Sequence, residues 1–69
     1  MDVTIKQELL RDGTIYIEIR QTVRWNVVFY EVMAMECHGS YCRYPFSDNH
    51  YTDLAKAKRQ YNALKRRYK

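Results

Sequence analysis

Apolar and polar residues alternate from Thr14 to Val23. Ile15, Ile17, Ile19 and Val23 fall on one side of an extended chain, and Tyr16, Glu18, Arg20 and Thr22 on the other. A period of two marks a half-buried strand. Val3 to Leu10 reads as an earlier strand with Val3, Ile5 and Leu9 on one face, although Gln7 interrupts the pattern and allows this first strand to be short. Arg11-Asp12-Gly13 separates the two. A one-residue slip would turn every side chain to the opposite face, so face matching selects the turn length. A two-residue loop pairs Lys6 with Ile19 and Glu8 with Ile17. A three-residue loop pairs Leu9 with Ile15 and Ile5 with Ile19, and sets Lys6 opposite Glu18. The three-residue loop is the expectation, with Gly13 in the left-handed conformation.

A third strand is expected from about Asn26 to Cys37. An even-length loop around Arg24-Trp25 sets Val28, Tyr30, Val32 and Ala34 beside the isoleucines and keeps Glu31 on the other face, where its carboxylate is not buried unpaired. That other face then carries Val27, Phe29, Met33 and Met35. His38-Gly39-Ser40 is the next turn. Tyr41 to Phe46 reads as an edge strand, a place where Pro45 is tolerated. Two cues conflict at this turn. Gly39-Ser40 suits a two-residue turn, whereas a three-residue loop better aligns Tyr44 and Phe46 with Ala34 and Val32; the second is preferred. Ser47-Asp48-Asn49-His50 reads as a polar loop.

From Thr52 the period changes. Leu54, Ala57, Tyr61, Leu64 and Tyr68 recur at spacings of three and four and form one stripe on a helix. No Gly or Pro interrupts it, and Thr52 is the expected N-cap. The predicted fold is therefore a single α+β domain over residues 1–69: a four-stranded antiparallel meander with one C-terminal helix packed on one face, two layers in the order ββββα.

Charge changes this picture in one place. Residues 52–69 hold seven Lys or Arg and one Asp, a net of +6, while residues 1–51 hold five Lys or Arg and seven Asp or Glu, a net of −2. Lys56, Lys58, Arg59, Lys65, Arg66 and Arg67 therefore form a basic helix suited to phosphates or to an acidic partner. Arg20, Arg24 and Arg43, with Tyr16, Trp25 and Tyr41, could add stacking contacts to a nucleic acid. In layout the chain is similar to small three-stranded-sheet-plus-helix DNA-binding domains, such as the arm-binding domains of tyrosine recombinases. The likeness is of architecture alone and carries over no residue. Glu8, Glu18, Glu31 and Glu36 would repel phosphate from the sheet.

Chemistry is sparse. Cys37, His38, Cys42 and His50 are the only metal-like grouping, and adjacent Cys37 and His38 in a strand point to opposite faces, so no metal or other cofactor is expected. Two opposed cysteines could bond if the Gly39 turn had two residues. The expectation is reduced thiols in a cytoplasmic protein, since Met1 to Lys6 has no signal-peptide pattern and no apolar run could span a bilayer. No catalytic constellation, Gly-rich phosphate loop or small-molecule pocket stands out, so the chain is read as non-enzymatic.

One helix covers one sheet face. Val27, Phe29, Met33 and Met35 on the second face have no element left to cover them, which points to a homodimer or another protein partner. A chain of 69 residues also gains from such burial, since its own core is small. The primary expectation is a self-associating protein-interaction module; the alternative is nucleic acid binding through the basic helix.

Overall fold

The computed structural model describes residues 2–69. Four strands, β1 (Val3–Leu10), β2 (Ile15–Arg24), β3 (Val27–His38) and β4 (Tyr41–Tyr51), form one antiparallel sheet in the order β1-β2-β3-β4. Helix α1 (Leu54–Arg67) packs across one face. The fold is the two-layer α+β meander expected from the pattern.

The helix faces the sheet as its stripe dictates. Ile15, Ile17 and Ile19 of β2, Val32 and Ala34 of β3, and Ala57, Tyr61 and Leu64 of α1 are buried together. Leu10, Tyr30, Phe46, Tyr51 and Tyr68 pack around that cluster. The N-cap is Asp53, not Thr52: its carboxylate accepts the Ala55 N–H at 2.9 Å. Aspartate caps as well as threonine does, and adds a negative charge at the positive end of the helix.

The β2–β3 connection has even length, as face matching required. Ile17 lies opposite Ala34, and Ile19 opposite Val32. Trp25 and Asn26 form the two-residue turn, both with positive φ (52° and 61°). Two consecutive residues of positive φ match the right-handed twist of a hairpin. Asn26 tolerates that conformation; Trp25 does so at a cost on the order of 1 kcal/mol.

The β1–β2 register is the one that face matching rejected. Leu10 pairs with Ile15, Glu8 with Ile17 and Lys6 with Ile19, across the turn Arg11 to Thr14. Lys6 and Glu8 thus lie on the helix side, and Leu9 on the open side. The reason lies in the helix. Glu8 accepts hydrogen-bond and ionic contacts from the Tyr61 hydroxyl at 3.0 Å and Lys65 Nζ at 3.2 Å. The Lys6 ammonium stands 5.3 Å from the centre of the Tyr61 ring. Polar residues at a sheet edge are compensated there, so the premise that this row must be apolar fails. A bulge between Thr4 and Lys6 then shifts the pairing by one, and Val3 meets Gln21.

At the next hairpin the turn has two residues, Gly39 and Ser40, with Gly39 at φ 64°. Cys37 lies opposite Cys42, and Glu36 opposite Arg43. The conflict with Phe46 is resolved by a bulge: two residues of β4, Tyr44 and Pro45, face one of β3, and Phe46 comes to lie opposite Ala34. A second shift between Tyr30 and Val32 lets β4 continue to Tyr51, so the expected polar loop Ser47–His50 is strand. Both irregularities fall on an edge strand, where they discourage further pairing. Cys37 and Cys42 are disulfide-bonded, with Cα atoms 4.1 Å apart, in place of the reduced thiols expected.

The outer strands stop short of the tip of the inner hairpin. β1 begins opposite Gln21 and β4 ends opposite Tyr30. Beyond them, among the described residues, only the pairs Thr22–Phe29, Val23–Val28 and Arg24–Val27 continue, closed by Trp25 and Asn26. This two-stranded arm projects past the helix as well, because α1 starts just after Tyr51 and runs the other way, to where Arg11 meets the Arg67 carbonyl and the Tyr68 ring.

Candidate interaction surfaces

Two surfaces remain after the core is formed: the open sheet face and the outer side of α1. The open face carries Leu9 and Gln7 from β1, Tyr16, Glu18 and Arg20 from β2, and Val27, Phe29, Glu31, Met33 and Met35 from β3. Strand alternation from the buried Ile15, Ile17, Ile19, Val32 and Ala34 fixes this assignment. Of the four residues expected to form an interface, Val27 is exposed, while Phe29, Met33 and Met35 are half-buried among their neighbours. They form one row along β3.

A charged group sits inside this apolar face, which the pattern alone did not single out. Glu18 is only 3% exposed. One carboxylate oxygen accepts from the Tyr16 hydroxyl. The other lies 2.8 Å from Arg20 Nε, an ion pair without a well-directed hydrogen bond. The Tyr16 hydroxyl is also 2.7 Å from Gln7 Oε1. Burial, reinforced by the Glu18 carboxylate, pushes the Tyr16 pKa up to about 12. Arg20 pairs across the strands with Glu31. The centre of the face is thus polar, two carboxylates beside one guanidinium, with Met33 and Met35 on one side of it and Phe29 and Val27 on the other.

Two open grooves mark this face. One, of about 340 Å³, is lined by Arg20, Glu31, Met33, Tyr44 and Ser47. The other, of about 410 Å³, lies at the β1 edge and is lined by Gln7, Glu8, Leu9 and Tyr16. Leu9 there is 67% exposed. It escaped the sequence reading because the register that carries it was the rejected one.

All six candidate cations of α1, Lys56, Lys58, Arg59, Lys65, Arg66 and Arg67, are exposed. At about 100° per residue they spread around the whole outer half of the helix. Lys65 pairs with Glu8, and Arg67 stands over the Tyr68 ring. Among the described residues, no carboxylate forms an ion pair with Lys56, Lys58, Arg59 or Arg66. Arg43 is held by Glu36 at 2.6 Å, and Arg20 by Glu18, so neither is free for phosphate.

The metal-like grouping is not assembled. Cys37 and Cys42 are bonded to each other, and the His50 ring contacts Asp48 at 2.7 Å. Among the described residues, no group of three or more His, Cys, Asp or Glu is placed to hold a metal ion, and no helix is long and apolar enough to cross a membrane. No family model, curated protein or solved structure matches the chain.

Proposed function

We propose that the protein is a small interaction module that pairs with a second copy of itself through the open sheet face. The observation that carries this reading is that the apolar row and the unpaired cations lie on opposite sides of the molecule. The row Val27, Phe29, Met33 and Met35 lies on the side away from α1, and the unpaired cations lie on the outer side of α1. Two copies joined sheet to sheet keep their basic helices on opposite outer surfaces, where the repulsion between them is weakest.

Size supports the same partner. The molecule extends 38 by 24 by 16 Å, and its broad face matches the roughly 800 Å² per partner that a stable interface buries. The chain also has reason to bury that face, since its core rests on eight buried apolar residues.

A second reading rests on Lys56, Lys58, Arg59 and Arg66, which lack acidic partners: the outer helix faces contact a polyanion such as nucleic acid. Light scattering coupled to size exclusion, at low and high salt, with and without mixed DNA and RNA fragments, tests both. A dimer mass insensitive to salt and to nucleic acid is the expected result. A monomer at every concentration contradicts self-association. Mass gained with nucleic acid near physiological salt, and lost with Arg59→Glu and Arg66→Glu, would place the helix first.

A further inference from the structure

The arm formed by Thr22 to Phe29 ends in Trp25, which is 87% exposed. Its flanks are apolar on both sides: Val23, Val27 and Val28 are all exposed. Trp25 also holds a left-handed backbone conformation, φ 52°, which glycine or asparagine would adopt far more readily. A bulky aromatic thus stands at an unfavourable backbone position and is almost wholly bare within its own chain. The two-residue turn imposes that conformation on whatever residue stands there, so the tryptophan is not chosen for the backbone.

We infer that Trp25 of one copy docks into the groove lined by Gln7, Glu8, Leu9 and Tyr16 of the second copy. This rests on the sheet-face pairing proposed above and names the contact that fixes its geometry. The groove is an open depression of about 410 Å³, wide enough for an indole ring to lie against it. Leu9 and the Tyr16 ring offer apolar walls. The indole N–H needs an acceptor once buried, and Gln7 Oε1, 2.7 Å from a Tyr16 hydroxyl whose one proton goes to Glu18, has a lone pair to offer.

The distances are consistent with a two-fold arrangement. Tyr16 lies opposite Met35, ten residues along β3 from the level of Trp25, or about 33 Å at ~3.3 Å per residue. If the strands of two copies run in opposite directions across the interface, the axis falls midway, near Tyr30. The neighbouring pair is Arg20 and Glu31. Each arm then reaches over the far end of its partner's sheet. A sheet-to-sheet pairing with parallel strands would instead place arm against arm and leave both grooves empty.

Trp25 is the only tryptophan, so its emission reports this contact alone. In a dilution series on the wild-type chain, emission should shift to the blue and become protected from iodide as dimer forms. Trp25→Gly removes the strained side chain; it should leave the melting temperature of the monomer unchanged or raise it, yet weaken the dimer at least tenfold. Leu9→Arg, which alters only the groove, should weaken the dimer similarly and leave Trp25 quenchable. A dimer in which Trp25 stays exposed, with an affinity unaffected by Trp25→Gly, overturns the docking and leaves the sheet-face reading intact. A chain that is monomeric throughout overturns both.

Discussion

The Tyr61 hydroxyl donates to Glu8 Oε1 at 3.0 Å across 53 positions of sequence. That bond joins the first strand to the helix and accounts for a register in which charged residues of β1 face the core side. Tyr61 is fully buried, and its hydroxyl pKa is pushed up, first by burial and then by the carboxylate beside it. Tyr61→Phe removes the bond but keeps the ring; it should lower stability by about 1 kcal/mol. Tyr61→Ala also opens a cavity in the core and should cost about 3–5 kcal/mol. Urea unfolding of the two variants, followed by circular dichroism, measures both; equal losses would mean that ring packing contributes nothing.

Stability should fall in acid. Burial opposes ionisation of Glu8, but hydrogen bonds from Tyr61 and Lys65 and the charges of Lys65 and Lys6 outweigh it and hold its pKa below the ordinary 4.5. Glu36 is held low by Arg43 and then His38, and Asp48 by the backbone N–H and ring of His50. A carboxylate with a lower pKa folded than unfolded adds stability that is fully present above the unfolded value and is lost as pH falls through the folded one. The urea midpoint should therefore be nearly level from about pH 7 to 5 and decline below that. Glu8→Gln with Glu36→Gln should flatten the decline; an unchanged profile would contradict these pairings.

The Cys37–Cys42 bond closes a short loop, with a sequence separation of 5. Chain-entropy reasoning gives such a loop about 2 kcal/mol of stabilisation. Reduction, or Cys37→Ser with Cys42→Ser, should lower the melting temperature by roughly 10 °C for a domain this small. Thermal scans with and without a thiol reductant test this. No shift on reduction would show that the hairpin is held by its ladder alone.

The strands and the helix were legible because their periods are strong: the isoleucine alternation of β2 and the Leu54–Tyr68 stripe leave little choice. The two outer registers were not. Face matching treats each row as apolar or polar, and β1 violates that premise where Tyr61 and Lys65 receive Glu8. The rule also assumes an unbroken ladder. At Tyr44 and Pro45 a bulge satisfies both the Gly39-Ser40 turn and the Phe46–Ala34 pairing. The apolar row of β3 was visible as soon as Glu31 was kept from the core. The projecting arm was not, because it depends on where β1 and β4 stop relative to β2 and β3. Trp25 carried one signal in the sequence: a large aromatic in a turn with neither Gly nor Pro.

The basic helix gives a further expectation. Lys65→Glu should weaken the fold more than Arg66→Glu, since Lys65 pairs with Glu8 and Arg66 has no carboxylate partner among the described residues. The difference in melting temperature at low ionic strength reads this directly, and it should shrink as salt screens the pair. An equal response of the two variants would show that the Glu8 contact carries no stability.

The central claim is that the open sheet face is where two copies meet. Sedimentation equilibrium of the wild type beside Phe29→Lys and Met33→Lys tests it most directly. The wild type should sediment as a dimer of the 8.4 kDa chain, and each variant should remain folded while dissociating at least ten times more readily. A wild-type monomer, or a dimer that both variants leave intact, would contradict it.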